Sequence, residues 1–154
     1  YCLRKPQKVK TMTLTGSSGL FENSLGETYP RKGDYEFVKQ KTEATFYDPK
    51  MATKEQVDEV FEIVNNRAKV IRLVSMAKSA LRHNLRNDVP NMSLPVCLIW
   101  GKEDTITPSF VGEEFYKLLP QAELYIIEKC GHAPMMEQPE QFNRILEDFL
   151  ARKK

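Results

Sequence analysis

Two residues with side chains suited to proton transfer each follow a predicted buried strand. Asp104 comes a few residues after the apolar run 96–100, and His132 comes just after the apolar run 124–127. Such runs are typical of strands buried on both faces of a parallel sheet. A histidine that takes and returns a proton needs one ring nitrogen held by an acceptor, which a carboxylate on a neighbouring loop can provide. We therefore predict that these two side chains form a carboxylate–imidazole pair.

The residues between the two loops predict how this pair is positioned. Thr107 and Pro108 are typical of an N-cap and a first helical position, and Pro120 ends the helical pattern. Strand, acidic loop, helix, strand and histidine loop then follow one another along the chain. Because crossovers between parallel strands are right-handed, we expect both loops at the carboxyl end of the sheet, where such folds bind ligands. The apolar residues at helical spacing are Val111, Phe115, Leu118 and Leu119.

Three segments, WGKED, PQAEL and CGHAPMMEQPEQF, closely resemble the carboxyl-terminal part of the α/β-hydrolase superfamily. Members of that family carry a nucleophile, an acid and a histidine in this chain order. The resemblance implies that Asp104 is the acid, that His132 is the base, and that the nucleophile lies upstream. It also implies an α/β fold with about three parallel strands, crossover helices and an inserted helical lid. Neither a metal nor an organic cofactor is expected.

The nucleophile turn of this family, Gly-x-Ser-x-Gly between a strand and a helix, does not occur in this sequence. The nearest match is the GSSGL segment centred on Ser18, which lacks the final glycine and is followed by no helical period. Since the sequence also starts at Tyr1 rather than at a methionine, we expect it to begin partway through a hydrolase and to be inactive alone. By resemblance, Ser17 and Ser18 are expected to line the substrate site. Met135 is expected to line it too, with filling of a gap in the core as the alternative.

The sequence predicts a core in two segments with an insertion between them. Residues 1–20 and 86–154 are assigned to a partial hydrolase core, with a first strand at 9–14. The insertion, residues 21–85, is predicted to form the helical lid, because its helices lie in a connection far longer than usual. Core-packing helices without a lid function are the alternative.

Local signals place the helices of the insertion and of the carboxyl terminus. We expect helices at 34–47 and 67–85, and another after the Thr53–Gln56 capping box. Pro139 opens an amphipathic last helix, and Glu137 is expected to serve the start of that helix, where a carboxylate is favoured. His83 is expected to lie on the surface.

Composition narrows the possible functions. The chain has 154 residues, 41% of them hydrophobic, and a net charge of +2, which is too small to indicate a nucleic-acid partner. No apolar run approaches the roughly 18 residues of a membrane span. The three cysteines, Cys2, Cys97 and Cys130, match neither a disulfide nor a zinc pattern, so we expect reduced thiols in a cytoplasmic protein. Cys130 is expected to be a small packing residue and not a metal ligand or nucleophile.

The resemblance implies hydrolysis of an ester or a carbon–carbon bond, as in lidded carboxylesterases and meta-cleavage-product hydrolases. The latter commonly place a tryptophan directly after the histidine, whereas Ala133 and Pro134 stand here. Dehalogenases share the fold, and their aspartate nucleophile would also lie upstream. The alternative function is a non-catalytic complementing or protein-binding module, since an unpaired edge of strand 9–14 would recruit other chains. Expected partners are a small-molecule substrate and either a missing amino-terminal half or a second copy.

Overall fold

The protein is built on a three-stranded parallel sheet with helices on both faces. The computed structural model describes residues 1–21 and 33–153. The strands are β1 (Met12–Thr15), β2 (Val96–Gly101) and β3 (Ala122–Ile127), in the order β1-β2-β3. Both strand pairs are parallel. The predicted α/β fold with three parallel strands is therefore confirmed.

Six α-helices accompany these strands in the described part of the chain. Three of them lie between β1 and β2, one connects β2 to β3, and two follow β3. In chain order they are α1 (Tyr35–Glu43), α2 (Lys54–Asn65), α3 (Arg67–Arg82), α4 (Ser109–Leu118), α5 (Pro134–Glu137) and α6 (Pro139–Arg152). None of the helices described is long and apolar enough to cross a membrane.

The central strand β2 is fully buried because helices cover both of its faces. Its alternate residues Val96, Leu98 and Trp100 belong to one core cluster, which includes Val111 and Phe115 of α4. The residues between them, Cys97 and Ile99, belong to a second cluster together with Phe149 of α6. Burial on both faces explains why β2 reads as an uninterrupted apolar run and not as an alternating pattern.

Strand β1 begins at Met12 and not at Val9 as the alternation predicted. Its partner β2 begins at Val96, which is paired with Met12. The preceding residue, Pro95, accepts a hydrogen bond from the Met12 amide at 3.0 Å but has no N–H of its own to continue the ladder. In the described residues, no strand pairs with the outer side of β1, so it forms one edge of the sheet.

The insertion is helical, with bounds that differ from the predicted ones. Asp34 caps α1, which ends at Glu43 and does not continue to residue 47. The predicted capping box of Thr53 and Gln56 is present at the start of α2. Helix α3 ends at Arg82 rather than at residue 85. Residues 22–32 of the predicted 21–85 insertion lie outside the described residues.

Helix α4 begins at Ser109, with Pro108 in the N-cap position, which corrects the predicted N-cap at Thr107. The Thr107 hydroxyl is not available for capping, because it donates a hydrogen bond to Asp104 instead. The local signal for a helix start was therefore nearly right in position. The function it assigned to the threonine side chain was wrong.

Candidate active site

Asp104 and His132 are in direct contact at the carboxyl ends of β2 and β3. Oδ2 of Asp104 lies 3.0 Å from Nδ1 of His132. The Asp104 side chain has no exposed surface, whereas 29% of the His132 side chain is exposed. With Nδ1 held by the carboxylate, Nε2 is the ring nitrogen left to exchange a proton with a bound molecule. The described residues provide no hydrogen-bond partner for Nε2.

The Asp104 carboxylate also accepts three hydrogen bonds from its own loop. Oδ1 accepts from the amides of Ile106 at 2.8 Å and Thr107 at 2.9 Å. Oδ2 accepts from the Thr107 hydroxyl at 2.9 Å. A buried carboxylate is costly unless it is hydrogen-bonded. These contacts therefore stabilise its charge and fix the orientation in which Oδ2 faces the imidazole.

Thr107 connects this loop to the core. Its hydroxyl lies 3.3 Å from Nδ1 of His132 as well as within hydrogen-bond distance of Asp104. Its carbonyl oxygen accepts a 2.8 Å hydrogen bond from Nε1 of Trp100, which is fully buried. The Trp100 side chain thus anchors the acid loop to the end of β2, and it cannot move without disturbing the core.

Two glycines allow the loops to approach one another closely. A Cβ atom on Gly16, directly after β1, would lie 2.8 Å from Nδ1 of His132, and Gly16 has a φ of +49°. A Cβ atom on Gly101 would lie 2.0 Å from the carbonyl oxygen of Gly131. Real Cβ atoms do not tolerate such distances from backbone or ring atoms. Glycine at these positions is what lets the imidazole reach the tips of β1 and β2.

The turn between α1 and α2 also contacts both loops. The amide of His132 donates to the carbonyl oxygen of Thr45 at 2.8 Å. The hydroxyl of Thr105, on the acid loop, donates to the carbonyl oxygen of Ala44 at 3.0 Å. Part of the helical insertion therefore lies at the carboxyl ends of the strands, beside the carboxylate–imidazole pair.

Glu137 has a different set of partners from the predicted one. It ends the short helix α5, and α6 has no side-chain cap. Its carboxylate accepts hydrogen bonds from the amide of Gly131 at 2.8 Å and from the amide of Tyr47 at 2.6 Å. Glu137 therefore binds the histidine loop and, contrary to the prediction, does not cap the start of the last helix.

The three residues predicted to line the substrate site make no hydrogen bond to the carboxylate–imidazole pair. Ser17 and Ser18 follow Gly16, and the Ser17 hydroxyl lies 3.4 Å from the Ser18 carbonyl oxygen. Met135 is 40% exposed on α5. None of the three is hydrogen-bonded to Asp104 or His132, so their lining role stays a prediction. His83 is exposed, as predicted, with its Nδ1 2.8 Å from the carbonyl oxygen of Ser79.

Cys130 is buried beside the site and is held in its neutral form. Burial, together with the negative charges of Glu137 and Glu103, raises the pKa of its thiol to about 12. Burial likewise raises the pKa of Cys97 to about 11. A thiolate nucleophile or ligand is therefore disfavoured at Cys130. Within residues 1–21 and 33–153, no group of three or more His, Cys, Asp or Glu could hold a metal ion.

The protein-family comparison agrees with the observed fold. Residues 1–139 match the model of the alpha/beta hydrolase fold. The chain belongs to the α/β-hydrolase superfamily. Among curated hydrolases of this superfamily, a 2-hydroxy-6-oxononadienedioate/2-hydroxy-6-oxononatrienedioate hydrolase from a Pseudomonas species is 29% identical over 124 residues, which is 79% of this chain and 44% of the relative. The pimeloyl-[acyl-carrier protein] methyl ester esterase of Nitrosomonas europaea is 42% identical over 59 residues, covering 38% of this chain and 23% of the esterase.

Solved α/β-hydrolases share the fold. An α/β-hydrolase from the metagenome of lagoon sediments of Mar Chica, Morocco, is 39% identical with a TM-score of 0.72, over 99% of this chain and 54% of that one. The meta-cleavage product hydrolase of Pseudomonas fluorescens has a TM-score of 0.81 at 22% identity, over 99% of this chain and 60% of that one. The chain thus spans about half the length of the hydrolases it matches.

Sequence reasoning missed three residues that the structure places at the site. These are Gly16 against the imidazole, Thr107 on the carboxylate and Glu137 on the histidine loop. Only Thr107 carried a usable signal, since a threonine three residues after an aspartate can bond to its side chain. Gly16 and Glu137 are defined by contacts with distant parts of the chain.

Proposed function

We propose that this chain provides the acid and the base of a Ser-His-Asp triad in a hydrolase that cleaves ester or carbon–carbon bonds. The 3.0 Å contact between the buried carboxylate of Asp104 and Nδ1 of His132 carries this proposal. The nucleophilic serine is proposed to lie on polypeptide other than these 154 residues, because the sequence has no Gly-x-Ser-x-Gly turn.

In this mechanism the serine oxygen attacks the substrate carbonyl carbon while Nε2 of His132 accepts the serine proton. The imidazolium that forms is stabilised by Asp104, which remains ionised. When the carbonyl–leaving-group bond breaks, His132 returns the proton to the leaving group, and water then releases the acyl group from the serine by the same steps. Neither a metal nor an organic cofactor takes part. The substrate is a small molecule that carries the scissile carbonyl.

We assign the insertion at 21–85 to a lid over this site. The contacts of Thr45 with His132 and of Ala44 with Thr105 support this assignment, because they bring the insertion to the carboxyl ends of the strands. A lid in this position would shield the reaction from water and shape the substrate pocket, for which Ser17, Ser18 and Met135 are the proposed lining residues.

A chimera tests the triad. The portion of the Mar Chica hydrolase that precedes the matched region would be fused ahead of Tyr1, and hydrolysis of a p-nitrophenyl ester would be measured. We expect the chimera to be active and the 154-residue chain alone to be inactive. An H132A chimera that keeps full activity, or hydrolysis by the isolated chain, would contradict the proposal. So would a folded chimera that hydrolyses neither an ester nor a meta-cleavage-type carbon–carbon substrate.

A second candidate function is a non-catalytic complementing or protein-binding module. The observation that favours it is the open edge of β1, since an unpaired strand edge can add a strand from another chain. The occupant would be an amino-terminal half or a second copy. A cytoplasmic location is proposed on the basis of the free thiols of Cys2, Cys97 and Cys130.

A further inference from the structure

The Glu137 carboxylate joins two segments that are far apart in the sequence. One oxygen accepts from the Gly131 amide at 2.8 Å, and the other accepts from the Tyr47 amide at 2.6 Å. Tyr47 is 90 residues away in the chain, on the turn at 44–47 between α1 and the 3-10 turn Pro49–Met51. Both oxygens of a single side chain are therefore used to hold this turn against the histidine loop.

The same turn touches the histidine loop at two further points. The His132 amide donates to the Thr45 carbonyl oxygen at 2.8 Å. A Cβ atom on Gly131 would lie 2.8 Å from that same carbonyl oxygen and 2.8 Å from the Tyr47 nitrogen. The two backbones are thus in contact on both sides of the Gly131–His132 peptide.

We propose that Glu137 is a positioning residue for His132, acting by clamping the 44–47 turn onto the histidine loop. This inference rests on the proposed role of His132 as the base. Without the carboxylate, the amides of buried Gly131 and of Tyr47 lose their acceptor, and the loop carrying the imidazole loses its contact with the 44–47 turn through this side chain. A displacement of about 1 Å is enough to lower a rate by about 10²-fold.

The clamp also links the insertion to the base. Any movement of α1 and α2 that lifts the turn must break the Glu137 contact with Tyr47 and the Thr45 contact with His132. The turn additionally holds the acid loop, through the Thr105 hydroxyl on the Ala44 carbonyl oxygen. A displacement of this turn would therefore loosen both members of the pair.

Glu137→Gln is the decisive substitution, because an amide keeps the size of the side chain but has only one acceptor oxygen. Its NH2 group would face either the Gly131 or the Tyr47 N–H, donor against donor. Glu140→Gln is the matched control, since Glu140 is an exposed glutamate three residues later, in the first turn of α6.

The first measurement uses 15N NMR of the imidazole rings in the 154-residue chain. There are only two histidines, so a His83→Gln variant assigns the His132 signals. In the wild type and E140Q we expect a slowly exchanging Nδ1–H signal for His132. In E137Q we expect this signal to broaden or disappear while the circular dichroism spectrum is retained. An unchanged signal in folded E137Q would overturn the inference.

If E137Q does not fold, amide hydrogen exchange of the wild type provides the test. The Tyr47 and Gly131 amides should both be protected, and exchange of Tyr47 at the rate of a free loop would overturn the clamp.

In the active chimera, E137Q should lower kcat by about 10- to 100-fold with KM changed less than about threefold. Wild-type kcat in E137Q would refute the positioning role while leaving the triad intact. Full activity in H132A would refute the triad itself, so the two failures are distinguishable.

Discussion

Oδ2 of Asp104 faces Nδ1 of His132 at 3.0 Å from a side chain with no solvent-exposed surface. Its charge is compensated locally by two backbone amides and the Thr107 hydroxyl. A carboxylate in this setting can hold the imidazole in a single tautomer and stabilise its protonated form.

Replacement of Asp104 by asparagine should lower kcat in the chimera by about 10⁴-fold, the size of effect known for loss of the triad acid in a serine protease. The amide preserves the shape but can present a donor to Nδ1 and so favour the wrong tautomer. The measurement is the rate of ester hydrolysis by the chimera. The control is Glu113→Gln, the same change from carboxylate to amide in an exposed residue of α4. A D104N rate within tenfold of wild type would rule out Asp104 as the triad acid.

Thr107→Val should lower the free energy of unfolding by about 1–3 kcal/mol, because the buried Asp104 carboxylate loses a hydroxyl donor at 2.9 Å. Thr107→Ser keeps the donor and should retain most of that stability. Urea unfolding of the 154-residue chain measures both variants. A loss in the serine variant with little or none in the valine variant would show that the methyl group matters and not the hydrogen bond.

Gly16→Ala should displace the His132 ring, since its Cβ would lie 2.8 Å from Nδ1. Gly33→Ala is a useful control, because Gly33 also has a positive φ, +78°, but no heavy atom of the described residues, its chain neighbours apart, lies within 4 Å of its added Cβ. Backbone strain of about 1–2 kcal/mol is common to both, whereas crowding of the imidazole is specific to Gly16. We expect loss of chimera activity only for G16A, and similar activity in the two variants would contradict this.

The stability of the chain should fall as the pH rises from about 9 towards 12. Burial raises the pKa of Cys97 to about 11 and that of Cys130 to about 12, whereas both thiols ionise near pH 9 in the unfolded chain. Above pH 9 the folded state therefore binds more protons than the unfolded state. The contribution of the two thiols to the free energy of unfolding is fully present below that pH and declines above it. Denaturant unfolding across this range should show a shallower decline in Cys130→Ala than in the wild type. If the free energy of unfolding declined equally with pH in both proteins, the Cys130 thiol would not contribute to the pH dependence.

The open edge of β1 predicts association of the isolated chain. Its monomer mass is 17.8 kDa, and light scattering should report a larger, concentration-dependent mass. Fusion to an amino-terminal portion that pairs with β1 should restore a mass corresponding to one chain. A clean monomer at all concentrations would contradict a role for this edge in recruiting partners.

The sequence predicted the elements whose signals are local. The buried run of β2, the capping box at Thr53 and the proline-initiated α6 were all recognised from short patterns. The run at 124–127 correctly marked a strand, but the expectation that it is buried on both faces was wrong, since the residues of β3 are half-buried except for Ile127. The pairing of Asp104 with His132 followed from the rule that the carboxyl ends of parallel strands share one edge of the sheet. These features could be predicted because each depends either on residues that are close together in the chain or on the order of the strands and helices.

What the sequence did not reveal depends on contacts between distant segments. The partner of Glu137, Tyr47, is 90 residues away, and no periodicity marks such a pair. The start of β1 at Met12 was set by Pro95, the residue before β2, whereas the alternation began at Val9, ahead of the first available hydrogen-bond partner. Thr107 was assigned to the helix because the competing acceptor, the Asp104 carboxylate, becomes available to it only in the folded loop.

Trp100 is the single tryptophan of the chain, and its indole N–H is bonded to the carbonyl oxygen of Thr107. Tryptophan fluorescence, excited selectively over that of the six tyrosines, therefore has one source, located a few ångströms from the acid loop. Loss of the indole hydrogen bond or entry of water there should shift the emission maximum to longer wavelength before the chain unfolds as a whole. The molecule thus contains its own optical probe, which can follow the integrity of the Asp104 loop in every variant without a label or a substrate.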